Sequence, residues 1–195
     1  MMNETGMAAA PAEAAWRIWQ APRQQTAFRQ LMTAFSYPGR VVPLADGAES
    51  ALLLVLTTLV DSACALADPL HALSSDDLRR LGVRSASVEA AEFVLADGNR
   101  LLEATPRLGS LENPEQGATV VMRVSRFGEG PHLRLTGPGI QHEQVLQVSG
   151  IDPGWWKQRS EWNAHFPLGV DLILVSGHEV AVLPRTTHIN LKGAH

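Results

Sequence analysis

Apolar residues near the start of the chain recur at intervals of three and four, the spacing of one face of a helix. The positions concerned are Ala27, Phe28, Leu31, Met32 and Phe35. Pro22 suits the first turn of a helix, and the stretch Tyr37-Pro38-Gly39 is typical of a helix end. The pattern therefore predicts an amphipathic helix that begins at Pro22 and carries this stripe as its apolar face.

Two further helices are indicated in the first half of the chain. Asp46 and Glu49 have the spacing of a capping box before the run Ala51–Val60. The β-branched residues of that run leave a strand as the alternative. The stretch Ser74-Ser75-Asp76-Asp77 is typical of the capped, acidic start of another helix, and Gly82 is expected to close it.

Short apolar or alternating segments predict β-strands over much of the remaining chain. These segments are Arg40–Leu44, Ala63–Ala67, Ala91–Leu95, Ala118–Val124, His132–Leu135 and Gln144–Val148. Pro43 places the first of them at a sheet edge, because proline cannot donate a hydrogen bond to a neighbouring strand. Val170–Val175 and Val180–Leu183 predict a hairpin, and Asp152-Pro153 predicts the start of a tryptophan-bearing helix. Helices early and late with strands between them indicate an α/β or α+β domain.

The chain has 195 residues, of which 45% are hydrophobic and 18% charged, a composition typical of one globular domain. We expect residues 16–195 to form that domain, and residues 1–15, which are small and polar, to be a disordered arm. The net charge of −4 argues against a protein that binds the nucleic-acid backbone. The chain has neither a membrane-spanning apolar run nor the pattern of a signal peptide. We therefore expect a cytoplasmic protein with no membrane partner.

The residue inventory disfavours several kinds of chemistry. Lys157 and Lys192 are the only lysines, which leaves few candidates for a Schiff base with a pyridoxal-type cofactor. Cys64 is the only cysteine, so neither an internal disulfide nor a thiolate metal site can form within one chain. The sequence contains no P-loop, no GxGxxG after a strand, and no HExxH or GxSxG motif. Because the seven histidines are scattered, we expect no metal ion and no other cofactor.

The segment RLTGPGI is the first candidate for an anion site. Gly137 and Gly139 flank Pro138, so backbone amides there can turn toward one point and a ligand can approach closely. Arg134 precedes this turn on a predicted strand. The alternative is a tight connection between strands that binds nothing.

The predicted hairpin and the segment LPRTTH after it form the second candidate. Asp171 interrupts an apolar strand, and a buried carboxylate needs a partner; Arg185, another arginine or a backbone amide would serve. Arg185 also offers a planar fork of donors that suits phosphate oxygens, and Thr187 and His188 can donate further hydrogen bonds. The residues alone leave open whether the cluster binds an anion or closes the hairpin through a polar network.

Five blocks together make the sequence resemble the PhnH family, the H subunits of the bacterial carbon–phosphorus lyase system. The blocks are FRQLMTAFSYPG, NPEQGATVV, LRLTGPGI, FPLGVDLIL and LPRTTH, and they occur in the order and spacing of that family. The resemblance runs from about Phe28 to His188. The N-terminal arm and the tail after Asn190 are the least similar parts.

This resemblance implies a fold and a pathway that spacing and composition do not. It implies a single α/β domain with a mixed sheet flanked by helices, similar to a reduced pyridoxal phosphate transferase fold without the cofactor. It also implies a homodimer when alone, and a core complex with the G, I and J subunits. That complex joins an alkylphosphonate to the ribose of ATP with loss of adenine, giving a ribose 1-phosphonate 5-triphosphate. The resemblance supplies no catalytic residue for this chain.

Two hypotheses follow for function. The first is a subunit of this phosphonate ribosyl-triphosphate synthase, a transferase complex, that shapes or stabilises the assembly without supplying the reacting groups. The second is a nucleotide or phosphonate pocket of its own, within the complex or in an independent binding protein. The candidate ligand-binding residues of that pocket are Arg134, Gly137, Gly139, Arg185, Thr187 and His188, with Asp171 as a structural charge partner.

Overall fold

A computed structural model describes residues 16–47 and 49–190 of the chain. Its main helices are α1 (Ala21–Ser36), α2 (Ala51–Leu59), α3 (Ser75–Leu81) and α4 (Gly154–Trp162). The predicted arm of residues 1–15 lies outside the described ranges. No helix within these ranges combines the length and apolar character that crossing a bilayer requires.

The described strands form one large mixed sheet and one small antiparallel sheet. The strands are β1 (Val42–Pro43), β2 (Ala65–Ala67), β3 (Arg84–Ser85), β4 (Phe93–Asp97), β5 (Thr119–Arg123), β6 (Arg126–Thr136), β7 (Gln144–Ser149), β8 (Asp171–Ser176), β9 (Glu179–Leu183) and β10 (His188–Asn190). The large sheet has the order β1-β9-β8-β5-β4-β2-β3, and the small sheet has the order β10-β6-β7. Strands β3, β2, β4, β5 and β8 run parallel, whereas β9 is antiparallel to both β8 and β1.

The large sheet is the middle layer of a mixed α/β domain, because its apolar strands bury both faces. Val121 and Ile173 belong to a core cluster on the face covered by α1 and α2. Val120 and Met122 belong to a second cluster, which includes residues of the small sheet and the three tryptophans of α4. Successive side chains of a strand point to opposite faces, so β5 alone contributes to both clusters.

The predicted helices and hairpin are confirmed, with ends that differ by one or two residues. The helix predicted from Pro22 spans Ala21–Ser36, and the run Ala51–Val60 is a helix rather than a strand. Strands β8 and β9 form the predicted hairpin. The segment containing Pro43 is an edge strand, as the missing amide donor requires.

Local capping accounts for the start of α2 and for both ends of α3. Ser50 Oγ accepts a hydrogen bond from the Leu53 amide at the start of α2. Ser74 Oγ accepts one from the Asp77 amide at the start of α3. Gly82 ends α3 in the left-handed conformation, at φ +67°, which only glycine adopts at little cost.

A buried ion pair ties the start of α1 to the approach to α2. Arg23 Nε lies 3.0 Å from both carboxylate oxygens of Glu49, and Arg23 Nη2 also donates to the Leu44 carbonyl. The Glu49 carboxylate also accepts from the Asp46 amide at 2.9 Å. The predicted capping box is nevertheless wrong, because the N-cap of α2 is Ser50 and not Asp46. Burial opposes ionisation of Glu49, but the hydrogen bonds from Arg23 and Asp46 outweigh it and hold the pKa of Glu49 below its usual value.

The apolar stripe predicted for α1 is wrong at two positions. Phe28 and Met32 are 48% and 51% exposed. The helix buries Ala27, Leu31 and Ala34 instead. Periodicity identifies apolar positions on a helix, whereas the neighbouring elements decide how wide a face they cover.

Strand β6 is longer than predicted, because it extends the expected segment His132–Leu135 back to Arg126. Gly128, Gly130 and Pro131 are poor strand residues and conceal this part of the strand in the sequence. The pairing with β7 is irregular between Phe127 and His132, which accommodates them. The separate small sheet is not among the predictions.

Candidate functional site

Three of the predicted ligand-binding residues line one cavity of about 470 Å³ between α4 and the start of β10. They are Arg185, Thr187 and His188. Helix α4 contributes Trp156, Lys157 and Arg159 to the same cavity. We name it the Arg159 cavity. Its position explains why the sequence reveals only part of the lining, since α4 and β10 are distant in the chain.

Helix α4 is held in place by its tryptophans. Asp152 Oδ1 accepts from the Gly154 amide at 2.8 Å, next to the helix start. Trp155 is fully buried and meets Trp162 edge to face, with ring centroids 6.0 Å apart. Arg159 lies one helical turn beyond Trp155 and so shares its inward face. The apolar tryptophans therefore carry an arginine into the interior.

Arg159 is 4% exposed and donates only to backbone carbonyls. Nη1 lies 3.0 Å from the Thr187 carbonyl, and Nη2 lies 2.6 Å from the Pro184 carbonyl and 3.5 Å from that of Leu183. Nε has no hydrogen-bond partner among the residues that the structure describes. Among the described residues, no carboxylate comes within ion-pair distance of this guanidinium.

Burial lowers the pKa of Arg159 to about 10, against the opposing attraction of Asp171. The group remains a cation at neutral pH, because that pKa is still well above 7. The cavity therefore has a buried positive charge that no adjacent carboxylate of the described chain neutralises.

Arg185 is engaged with partners inside the fold. Its Nη2 lies 2.8 Å from Asp171 Oδ2, and its backbone amide donates to Asp171 Oδ1 at 2.7 Å. Nη1 donates to the Pro114 carbonyl at 2.7 Å and to the Pro167 carbonyl at 3.3 Å. A Cβ on Gly117 would lie 2.7 Å from Nη1, so a larger residue there would push the guanidinium aside. Arg185 thus joins the hairpin to two loops, which is the structural alternative that the sequence raised.

Thr187 and His188 enter β10 beside the cavity. Thr187 is 1% exposed, and its hydroxyl has no hydrogen-bond partner within the described ranges. Its backbone amide donates to the Pro184 carbonyl at 2.8 Å. His188 is exposed and pairs in register with Thr136 of β6. The lining therefore includes one residue with a buried hydroxyl and one with an exposed imidazole.

Arg134, Gly137 and Gly139 do not line this cavity. Arg134 Nη1 forms a surface ion pair with Glu143 Oε1 at 2.6 Å. A Cβ on Gly137 would lie 2.7 Å from the Thr186 carbonyl oxygen, and one on Gly139 would lie 2.6 Å from that of Ser36. Both glycines have positive φ, +134° and +83°, so close backbone packing accounts for them. Anion binding by this segment stays a prediction.

A second cavity, of about 440 Å³, lies at the carboxyl ends of β2, β3 and β4. The strand order reverses between β2 and β4, which is where open α/β sheets commonly bind ligands. Charged residues of its lining are Asp68, Glu89, Asp97, Arg100 and Glu103. Asp68 accepts from the amides of Ala72 and Leu73. An acidic lining is unsuited to an anion, in contrast to the Arg159 cavity.

The sequence interpretation missed Arg159, although a signal for it exists. An arginine that shares a helical face with Trp155 and Trp162 is placed where a buried apolar residue is expected. Among the described residues, no group of three His, Cys, Asp or Glu side chains is arranged to hold a metal ion. The chemistry that the Arg159 cavity offers is cationic and hydrogen-bonding.

Comparisons with known proteins show which family this chain belongs to. The family model described as bacterial phosphonate metabolism protein (PhnH) matches residues 17–190. A curated relative from Rhizobium meliloti (strain 1021), the alpha-D-ribose 1-methylphosphonate 5-triphosphate synthase subunit PhnH, is 34% identical over 82 residues. That match covers 42% of this chain and 41% of the relative's length. Because the family match spans most of the chain and every residue that lines the Arg159 cavity, the chain belongs to the PhnH family of bacterial phosphonate metabolism proteins.

Proposed function

We propose that this chain is a subunit of a complex that joins an alkylphosphonate to the ribose of ATP with release of adenine. The product of that transfer is a ribose 1-phosphonate 5-triphosphate, an intermediate in breaking down phosphonates. The family match over residues 17–190 carries the proposal. The relative named as a synthase subunit supports it over the aligned 82 residues.

Within this complex, the chain stabilises the assembly and shapes ligand sites rather than supplying the reacting groups. Its partners are the G, I and J subunits of the carbon–phosphorus lyase core complex. The exposed side chains of Phe28 and Met32, one turn apart on α1, support a role that depends on contact with other chains. The engagement of Arg185 with Asp171 supports a structural role for that arginine.

We also propose that residues 16–195 act as one unit, that the isolated chain forms a homodimer, and that its fold is a reduced pyridoxal phosphate transferase fold without the cofactor. A predominantly parallel sheet with an antiparallel edge supports this fold. The presence of only two lysines is consistent with a fold that holds no Schiff-base cofactor.

Co-expression with the G, I and J subunits of the same host tests the proposal. We expect one assembly in size-exclusion chromatography that releases adenine from ATP when methylphosphonate is present. We expect the isolated chain to release none. Elution of the chain apart from the other subunits, or adenine release by the chain alone, would contradict the proposal.

A second candidate function is an independent protein that binds a nucleotide or a phosphonate. One observation favours it: Arg185, Thr187 and His188 line the same cavity as Arg159. This candidate predicts saturable binding of ATP or an alkylphosphonate in calorimetry and no fixed assembly with other subunits. Co-elution as a stable complex excludes independence while leaving the cavity free to bind a ligand.

A further inference from the structure

We propose that the Arg159 cavity binds the oxyanion of a phosphate or phosphonate ligand, with Arg159 at its base and Lys157 and His188 at its rim. This inference deepens the proposed function, because it names the ligand group that this subunit holds. It rests on the proposed function in one respect, which is the choice of phosphonates as candidate ligands. Arg159 was not among the residues that the sequence pointed to.

The first argument for an anionic ligand is the charge of the side chains around the cavity. Arg159, Lys157, Arg185 and His188 line it, and none of the described lining residues is an aspartate or glutamate. Asp171 neutralises Arg185 at 2.8 Å. Lys157 meets Glu161 only at 3.9 Å, and its side chain is 83% exposed. The described part of the chain leaves the charge of Arg159 without an adjacent carboxylate, so an anion in the cavity would compensate it.

Two unpartnered buried groups carry the second step. Arg159 Nε–H and the Thr187 hydroxyl are both buried without a hydrogen-bond partner in the described structure, and their residues are 4% and 1% exposed. A buried donor without an acceptor is costly. Both residues line the same cavity. In this proposal an oxyanion bound in the cavity supplies the missing acceptors, because it carries several acceptor oxygens.

The size and the walls of the cavity carry the third step. Its volume of about 470 Å³ falls in the range of small-molecule sites. Trp156 and Ile189 form an apolar part of the lining, whereas Ser160 and Asn163 add polar groups. This combination suits a ligand that carries an organic group beside its anionic one. It suits a bare metal cation poorly, because the nearby side chains are positively charged.

Isothermal titration calorimetry of the full chain tests the inference, with inorganic phosphate, methylphosphonate and ATP as separate probes. We expect saturable binding of at least one probe. Arg159→Met should weaken that binding at least tenfold. The matched control is Arg126→Met, which removes a surface arginine paired with Glu129 and outside the cavity. It should bind as the unchanged protein does.

A second variant covers the case in which Arg159→Met does not fold. Thr187→Val removes only the unpartnered hydroxyl and breaks no internal hydrogen bond. It should raise the Tm of the free protein and weaken binding severalfold. The inference is overturned if no probe binds saturably, or if folded Arg159→Met or Thr187→Val protein binds with unchanged affinity.

The probes also separate the sources of the oxyanion. Binding of methylphosphonate with little binding of inorganic phosphate assigns the cavity to the phosphonate, whereas preference for ATP assigns it to the nucleotide. Assembly with the G, I and J subunits is measured independently. If the unchanged protein assembles but binds no probe saturably, this inference alone is defeated. If it binds a probe but does not assemble, the proposed function alone is defeated.

Discussion

Two buried arginines in this domain have opposite surroundings. Arg23, on α1, is 8% exposed and has Nε 3.0 Å from both oxygens of Glu49, whose side chain is buried with it. Arg159, on α4, is 4% exposed and donates only to carbonyl oxygens. The first cation is matched by an anion of the same chain, and the second has no such partner within residues 16–47 and 49–190.

The difference separates a structural charge from one that is available to a ligand. In a buried ion pair, the attraction between the two charges offsets part of the desolvation free energy of both groups. For a buried cation that is bonded only to carbonyl dipoles, most of the desolvation free energy is not offset. Proteins retain such a cost mainly at sites that bind or react. By this criterion Arg23 and Glu49 hold α1 to α2, whereas Arg159 is the functional candidate.

Removing the anion from the matched pair should have the largest effect. Glu49→Gln leaves the Arg23 charge buried and uncompensated, so we expect the free energy of unfolding to fall by about 3–5 kcal/mol. Urea denaturation measures it. Asp46→Asn is the control, since Asp46 Oδ2 is 3.8 Å from Arg23 Nη2 and its side chain is 80% exposed. It should cost less than about 0.5 kcal/mol. Equal effects of the two variants would refute the assignment.

Acid should remove the same contribution from the unchanged protein. The folded-state pKa of Glu49 lies below the ordinary glutamate value of 4.5. Its stabilisation is therefore present above pH 4.5 and is lost as the pH falls through the lower, folded-state value. The stability gap between the unchanged protein and Glu49→Gln should narrow below pH 4.5 in denaturation series. A gap that stays constant down to pH 2 would show that Glu49 ionisation does not contribute.

Replacing Arg159, the buried arginine without a carboxylate partner among the described residues, should lower the free energy of unfolding less than Glu49→Gln does. Arg159→Met leaves the Pro184 and Thr187 carbonyls without this donor, but it also removes a costly buried charge. We expect a net loss of about 1–2 kcal/mol in the same urea experiment. A loss as large as that of Glu49→Gln would mean that the Arg159 charge is well compensated in the folded chain, and the contrast between the two arginines would disappear.

Thr187→Val sharpens the contrast at the unmatched site. Replacing a buried, unpartnered hydroxyl with a methyl group should raise the free energy of unfolding by about 1 kcal/mol. Thermal denaturation and urea titration both measure this gain. Thr57→Val is the matched control, because the buried Thr57 hydroxyl donates to the Leu54 carbonyl at 3.3 Å. That variant should gain nothing.

The smallest effect on stability is expected far from both arginines. The double variant Phe28→Gln with Met32→Gln changes exposed side chains, so the free energy of unfolding should shift by less than about 0.5 kcal/mol. Recovery of the assembled complex should nonetheless fall in size-exclusion chromatography, if this face of α1 contacts another subunit. Thr26→Ala, also exposed on α1 but on a different side of the helix from Phe28 and Met32, is the control and should leave assembly intact. Full assembly by the double variant would remove this face from the interface.

Sequence reasoning succeeded where the controlling interactions are local. Ser74 caps α3, Gly82 ends it, and the β8–β9 hairpin forms around a short turn. Each of these features depends on residues within a few positions of one another. The reasoning failed for Phe28 and Met32, since a periodic pattern does not say how much of a helix its neighbours cover.

Only the part of the candidate site that is contiguous in sequence was predictable, for the same reason. LPRTTH places Arg185, Thr187 and His188 near one another whatever the fold, and Asp171 is an evident partner for a cation. Which cation it meets depends on the packing of the hairpin against its surroundings. The structure gives it Arg185, and it leaves Arg159 with carbonyl oxygens.

The sequence by itself determined the capped helices, the hairpin, the absence of several catalytic motifs and the resemblance to one family. Only the tertiary structure decided that Arg159 and Thr187, 28 positions apart, meet at one cavity. Local elements follow from short-range hydrogen bonds and apolar periodicity. The environment of a buried charge follows from long-range packing, because its partners come from whichever elements the fold brings together.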